Sequence, residues 1–134
     1  MLPRMAPPRC PKPTDAELAI LRVLWTKGPC TVRAVYEVVA KGRSLAYTTT
    51  LKLLQIMTEK RLTTREDFGL QHLYRARHTE QATQRRLVGD LVERAFGGST
   101  SQLVMQALAT RKTAPEELRA IRQFLAEYQE KRDE

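Results

Sequence analysis

Residues 45–77 read LAYTTTLKLLQIMTEKRLTTREDFGLQHLYRAR, and two periodicities meet inside this stretch. On a helical wheel turning about 100° per residue, Tyr47, Thr50, Leu51, Leu54, Met57 and Thr58 share one face. Thr48, Thr49, Lys52, Ile56 and Glu59 lie opposite, so the second face is polar at its start. The pattern predicts a helix over 45–61. After it, residues 62–65 and 72–77 read as two short strands joined by 66–71, a hairpin carrying Arg65, Arg75 and Arg77.

Upstream, Thr14 and Glu17 form a T-x-x-E capping box, and Leu18, Leu21, Leu24 and Trp25 recur at helical spacing until Gly28 and Pro29 stop the helix. Cys30 enters a very short strand. Thr31 caps a second helix whose Val32, Val35, Tyr36 and Val39 follow the i, i+3, i+4, i+7 rule, with Lys41 and Gly42 at its end. Three short helices followed by a hairpin describe a winged helix-turn-helix. In such a module the last helix lies in the DNA major groove and offers its first residues to base edges.

The charge follows the same division. Residues 1–78 hold fourteen Lys and Arg against six Asp and Glu, a net +8, whereas residues 79–134 hold nine of each. A fixed cationic surface concentrates a polyanion and releases its counterions, which makes duplex DNA the leading partner. Solvated basic faces are also common, so charge alone does not decide. Aromatics are only 6% of the chain, too few for a base-stacking platform that reads single strands. The hydroxyls of Thr48 and Thr49 can meet phosphates or base edges, their methyls thymine, and Lys52 a guanine edge or a phosphate. The bland alternative is that Thr48, Thr49 and Thr50 bond their own backbone at the helix start.

Downstream, a long amphipathic helix from Thr79 carries Leu87, Val88, Leu91, Val92, Ala95 and Phe96 up to Gly97 and Gly98. Ser99 and Gln102 open a short helix with Leu103, Val104, Ala107 and Leu108 on one side. Thr113 and Glu116 form a further box, and Leu118, Ile121, Leu125 and Tyr128 follow at coiled-coil spacing. Helices this small do not build a core alone, and a second copy of the chain is the natural cover. The competing arrangement folds them back on the winged domain. The expected architecture is thus mostly α with a small β-hairpin. It comprises a flexible basic Pro-rich tail (1–13), a winged-helix DNA-binding domain (14–78) and a helical dimerisation region (79–134).

Chemistry is excluded by what the chain lacks. His72 and His78 have no neighbouring Cys or carboxylate pattern suited to a metal or a triad, and no phosphate loop or nucleophile elbow occurs. Neither an enzyme nor a cofactor or metal is expected. Cys10 and Cys30 have no paired spacing, no apolar run is long enough to span a membrane, and residues 1–13 lack a signal-peptide centre. A cytoplasmic protein is expected.

Residues 14–25 (TDAELAILRVLW), 45–65 (LAYTTTLKLLQIMTEKRLTTR) and 96–108 (FGGSTSQLVMQAL) together resemble the penicillinase-repressor family, BlaI/MecI/CopY. The resemblance covers about residues 14–130. It implies a bacterial homodimeric winged-helix repressor on a palindromic operator, with Ala46, Tyr47, Thr48, Thr49 and Lys52 at the groove-facing start of the recognition helix. Leu103, Leu108, Leu118, Ile121, Leu125 and Tyr128 are the expected dimerisation residues. The resemblance further implies induction by a membrane sensor protease through cleavage at a position matching Gln106–Ala107, where that branch carries Asn-Phe. The copper-responsive branch carries a C-terminal cysteine cluster, which this chain lacks. Arg61 stands where the family commonly places a glycine. The alternative from another class is a winged-helix interaction adaptor that does not read DNA sequence.

Overall fold

The computed structural model of the chain describes residues 12–133. Helix α1 (Asp15–Lys27) opens with the expected box: Glu17 N–H donates to Thr14 Oγ1 at 3.2 Å, and Thr14 N–H donates to Glu17 Oε1 at 2.9 Å. Such a cap is worth about 1 kcal/mol. Gly28, at φ 83, closes the helix in a conformation that favours glycine. Helix α2 (Val32–Gly42) is capped by Thr31, whose Oγ1 accepts from Ala34 N–H. Helix α3 (Tyr47–Glu59) starts two residues later than the wheel suggested, with Ala46 as a cap that has no side-chain bond to offer.

The three helices bury Ile20, Leu21, Leu24, Val35, Val39, Leu54 and Met57 against one another. Each fully buried aliphatic side chain contributes about 1.5–3 kcal/mol. α3 ends in a Schellman turn: Leu62 N–H reaches Met57 O at 2.8 Å and Arg61 N–H reaches Thr58 O at 3.1 Å. The turn requires a left-handed residue, and Arg61 takes φ 64 in place of a glycine. Met57 and Leu62, the pair such a turn brings together, are both buried.

Strands β1 (Thr63–Phe68) and β2 (Gln71–Ala76) pair antiparallel from Thr63↔Ala76 to Phe68↔Gln71. Only Gly69 and Leu70 remain as the turn, with Gly69 at φ 61, so the expected six-residue connection is mostly strand. The sequence hid this because the outer half of the hairpin stands clear of the core. Thr63 and Tyr74 are buried, while residues 64–72 are exposed on both faces and show no apolar alternation. Cys30 forms the expected short bridge: its N–H and C=O pair with Tyr74 at 3.0 and 2.8 Å. Trp25 Nε1 donates to His78 O at 2.9 Å and ties the chain leaving the wing to α1.

The chain divides into two compact units, Met1–Leu87 and Val88–Glu134, with the boundary inside helix α4 (Glu80–Ala95). Leu62, Ala82, Thr83 and Leu87 line a common cavity, so the first turns of α4 lie against the winged helix. The second unit continues through α5 (Thr100–Thr110), which Ser99 caps through Gln102 N–H, and α6 (Pro115–Asp133). α6 opens one residue beyond the expected Thr113 box. Pro115 takes the first helical position, where a missing N–H costs nothing, and Ala114 O accepts from Leu118 N–H. No residue of α4, α5 or α6 is buried. Among the described residues no helix is long and apolar enough to cross a membrane. The expectation of a flexible tail over 1–13 falls almost wholly outside the described residues.

Candidate nucleic-acid interface

The head of α3 divides its three threonines by role. Thr50 is buried and its hydroxyl donates to Ala46 O at 3.0 Å, so the local-backbone reading holds for this residue. Thr48 and Thr49 are exposed, and among the described residues neither hydroxyl is engaged. Ala46 and Lys52 are exposed beside them. No acidic residue stands in the first turn of α3 or of α2. The free N–H groups of an uncapped helix start are themselves partly positive, which adds to Lys52.

Tyr47 sits differently. It is half-buried against the core, edge-on to Tyr36 of α2 with ring centroids 5.6 Å apart, and Arg33 stacks on its ring at 4.9 Å. Arg33 and Tyr36 join this site from α2, which the sequence alone does not show. Their i, i+3 spacing on α2 was visible, but nothing local showed that the first residue of α3 would lie between them.

The wing pairs two of its arginines with carboxylates of the same hairpin. Arg65 Nε lies 3.2 Å from Asp67 Oδ1, which also meets His72 Nδ1 at 2.6 Å, and Arg75 lies 3.5 Å from Glu66. The register sets Asp67 opposite His72 and brings Glu66 within reach of Arg75, so the hairpin's two arginines are offset by its own carboxylates. Arg77 lies just beyond β2, exposed, and its N–H continues the ladder to Leu62 O at 3.0 Å. At the tip, Phe68 and Leu70 are exposed apolar side chains.

In the second unit, Leu103, Leu118 and Ile121 are half-buried, whereas Leu108, Leu125 and Tyr128 are exposed. Phe124 and Tyr128 stack at 6.3 Å. Gln106 and Ala107 are exposed within α5. Among the described residues no cluster of three or more His, Cys, Asp or Glu could hold a metal ion.

Comparison with known proteins supplies the family. Residues 13–127 match the family model described as penicillinase repressor. A Mycobacterium tuberculosis protein named transcriptional regulator BlaI is 32% identical over 114 residues, covering 84% of this chain and 82% of that protein. Among solved structures, the monomeric form of Bacillus licheniformis BlaI in complex with the blaP half-operator is 20% identical. It covers 55% of this chain and 89% of its own, with a TM-score of 0.49. Bordetella bronchiseptica BpsR, whose DNA binding is regulated by 6-hydroxynicotinic acid, is also 20% identical, covering 88% and 80% at a TM-score of 0.46. The family match spans both units, from the capping box of α1 to the middle of α6, and the chain belongs to the penicillinase-repressor family.

Proposed function

We propose that this protein is a sequence-specific DNA-binding transcriptional repressor that acts as a homodimer on a palindromic operator. The observation that carries the reading is the head of α3, where Thr48, Thr49 and Lys52 are exposed and, among the described residues, unengaged within a unit of net positive charge. α3 enters the major groove from this end, and Ala46, Arg65, Arg75 and Arg77 border the contact. The family and the relative from Mycobacterium tuberculosis support the regulatory role.

Dimerisation is supported by the second unit, which has no buried residue among those described yet presents Leu91, Met105, Leu108, Leu125 and Tyr128 to solvent. Apolar faces of this extent call for a partner surface. A second copy supplies it and brings two reading helices to half-sites about one DNA turn apart. Induction by a sensor-dependent protease belongs to the same proposal. The Gln106–Ala107 bond is exposed but lies in the middle of α5, so cleavage there requires that helix to open first.

The test is to replace Thr48, Thr49 and Lys52 together with Ala and compare binding to an operator with binding to a scrambled duplex. The proposal expects operator preference to vanish while the oligomeric state is retained. Preserved preference would reject these residues as readers. Binding that ignores salt would favour the adaptor reading, because an apolar protein interface barely responds to it.

A further inference from the structure

The first turn of α2 carries a cation where the helix itself is positive. Thr31 caps the helix, Arg33 is its second residue, and the turn holds no Asp or Glu. A basic side chain there opposes the helix dipole. α3 begins in the same condition, with Ala46 providing no cap and no acid in its first turn. α1, by contrast, starts with Asp15 and Glu17.

Arg33 is nonetheless held in place. Its guanidinium carbon lies 4.9 Å from the centroid of the Tyr47 ring, and Tyr47 is fixed edge-on against Tyr36 at an interplanar angle of 78°. Tyr47 is the first residue of α3, so this contact sets the heads of α2 and α3 side by side. Among the described residues no carboxylate pairs with Arg33. A guanidinium held over an aromatic ring spends no N–H on a carboxylate, so its donors can bond a phosphate.

We infer that Arg33 contacts a DNA backbone phosphate and that Tyr47 is its positioning residue rather than a base reader. The phosphate supplies the negative charge that both helix starts lack, so a placement unfavourable in the free protein becomes favourable on DNA. The inference rests on the DNA-binding reading above and adds to it a contact from α2, braced by the recognition helix.

The full chain is titrated into a fluorescein-labelled mixed-sequence duplex of about 30 base pairs at several salt concentrations, and each variant's melting temperature is measured without DNA. Arg33→Gln lowers the slope of log affinity against log salt by about one, and weakens binding about eightfold near 0.1 M salt. Its melting temperature stays level or rises, because a cation has left a helix start. Tyr47→Phe keeps the slope. Tyr47→Ala loses the same increment as Arg33→Gln, and the two together lose no more than either alone. Should Tyr47→Ala fail to fold, Tyr47→Leu carries the same comparison. An unchanged slope for Arg33→Gln, with wild-type binding intact and salt-sensitive, overturns the contact. Fully additive losses overturn the positioning role. Wild-type binding without salt dependence overturns the DNA-binding reading itself.

Discussion

Glu17 and Lys60 join the head of α1 to the end of α3: Lys60 Nζ lies 2.9 and 3.0 Å from the two carboxylate oxygens of Glu17. Glu17 is 1% exposed, and the same carboxylate closes the capping box by accepting from Thr14 N–H. One side chain therefore caps α1 and pins the C-terminal end of α3, whose other end faces the proposed DNA contact.

The two partners should not be equally costly to lose. Glu17→Gln keeps an acceptor for Thr14 N–H and removes a charge whose partner, the Lys60 side chain, is 28% exposed, costing about 1 kcal/mol. Lys60→Met leaves a buried carboxylate without its counter-charge and costs about 3 kcal/mol. Urea unfolding at neutral pH measures both, and equal losses would contradict the asymmetry.

Arg61 is strained by position. A side chain at φ 64 costs on the order of 1 kcal/mol relative to glycine, and the Schellman bonds of Arg61 and Leu62 need no side chain at this residue. Arg61→Gly is expected to raise stability by about 0.5–1 kcal/mol, after allowing for the freer unfolded chain. A lowered urea midpoint would show that the arginine's own contacts outweigh the strain.

Leu118→Asp or Leu125→Asp is expected to give monomers that bind DNA far more weakly. Leu125 is 57% exposed in the single chain, so the change should cost less than about 1 kcal/mol of that chain's own stability. Sedimentation reads the outcome, and a variant that remains dimeric would count against these positions as the interface.

Burial pushes the Cys30 thiol up, against a smaller opposing pull from Lys27, and the thiol also donates to Gly28 O at 3.2 Å. The protonated form is therefore the one the fold favours. This contribution is complete below the ordinary thiol range, around pH 8.5, and is lost as pH rises through the higher folded value. In a Cys10→Ser chain, Cys30 should react slowly with a thiol reagent at pH 8 in the native state and rapidly in denaturant, and fast native labelling would show that the Cys30–Tyr74 bridge opens readily.

What was legible in the chain was local. The caps at Thr14, Thr31 and Ser99 and the inward face of α3 stand where periodicity put them, because each depends on residues within a turn or two. The same wheel that turned Thr50 inward left Thr48 and Thr49 outside. What escaped depends on pairing across the fold. Glu17 and Lys60 are 43 residues apart. Arg33 meets Tyr47 only once α2 and α3 have packed, and Arg65 and Arg75 are offset by carboxylates that the hairpin register brings within reach. The outer wing was hidden because a strand exposed on both faces carries no alternation to read.

The most direct test of the central claim is a gel-shift selection of the purified chain against random duplex DNA, followed by sequencing of the bound pool. A repressor of the kind proposed enriches a palindrome whose half-sites lie about one helical turn, ~34 Å, apart. Salt-sensitive binding that enriches no motif would contradict sequence-specific recognition and leave a cationic surface that holds DNA without reading it.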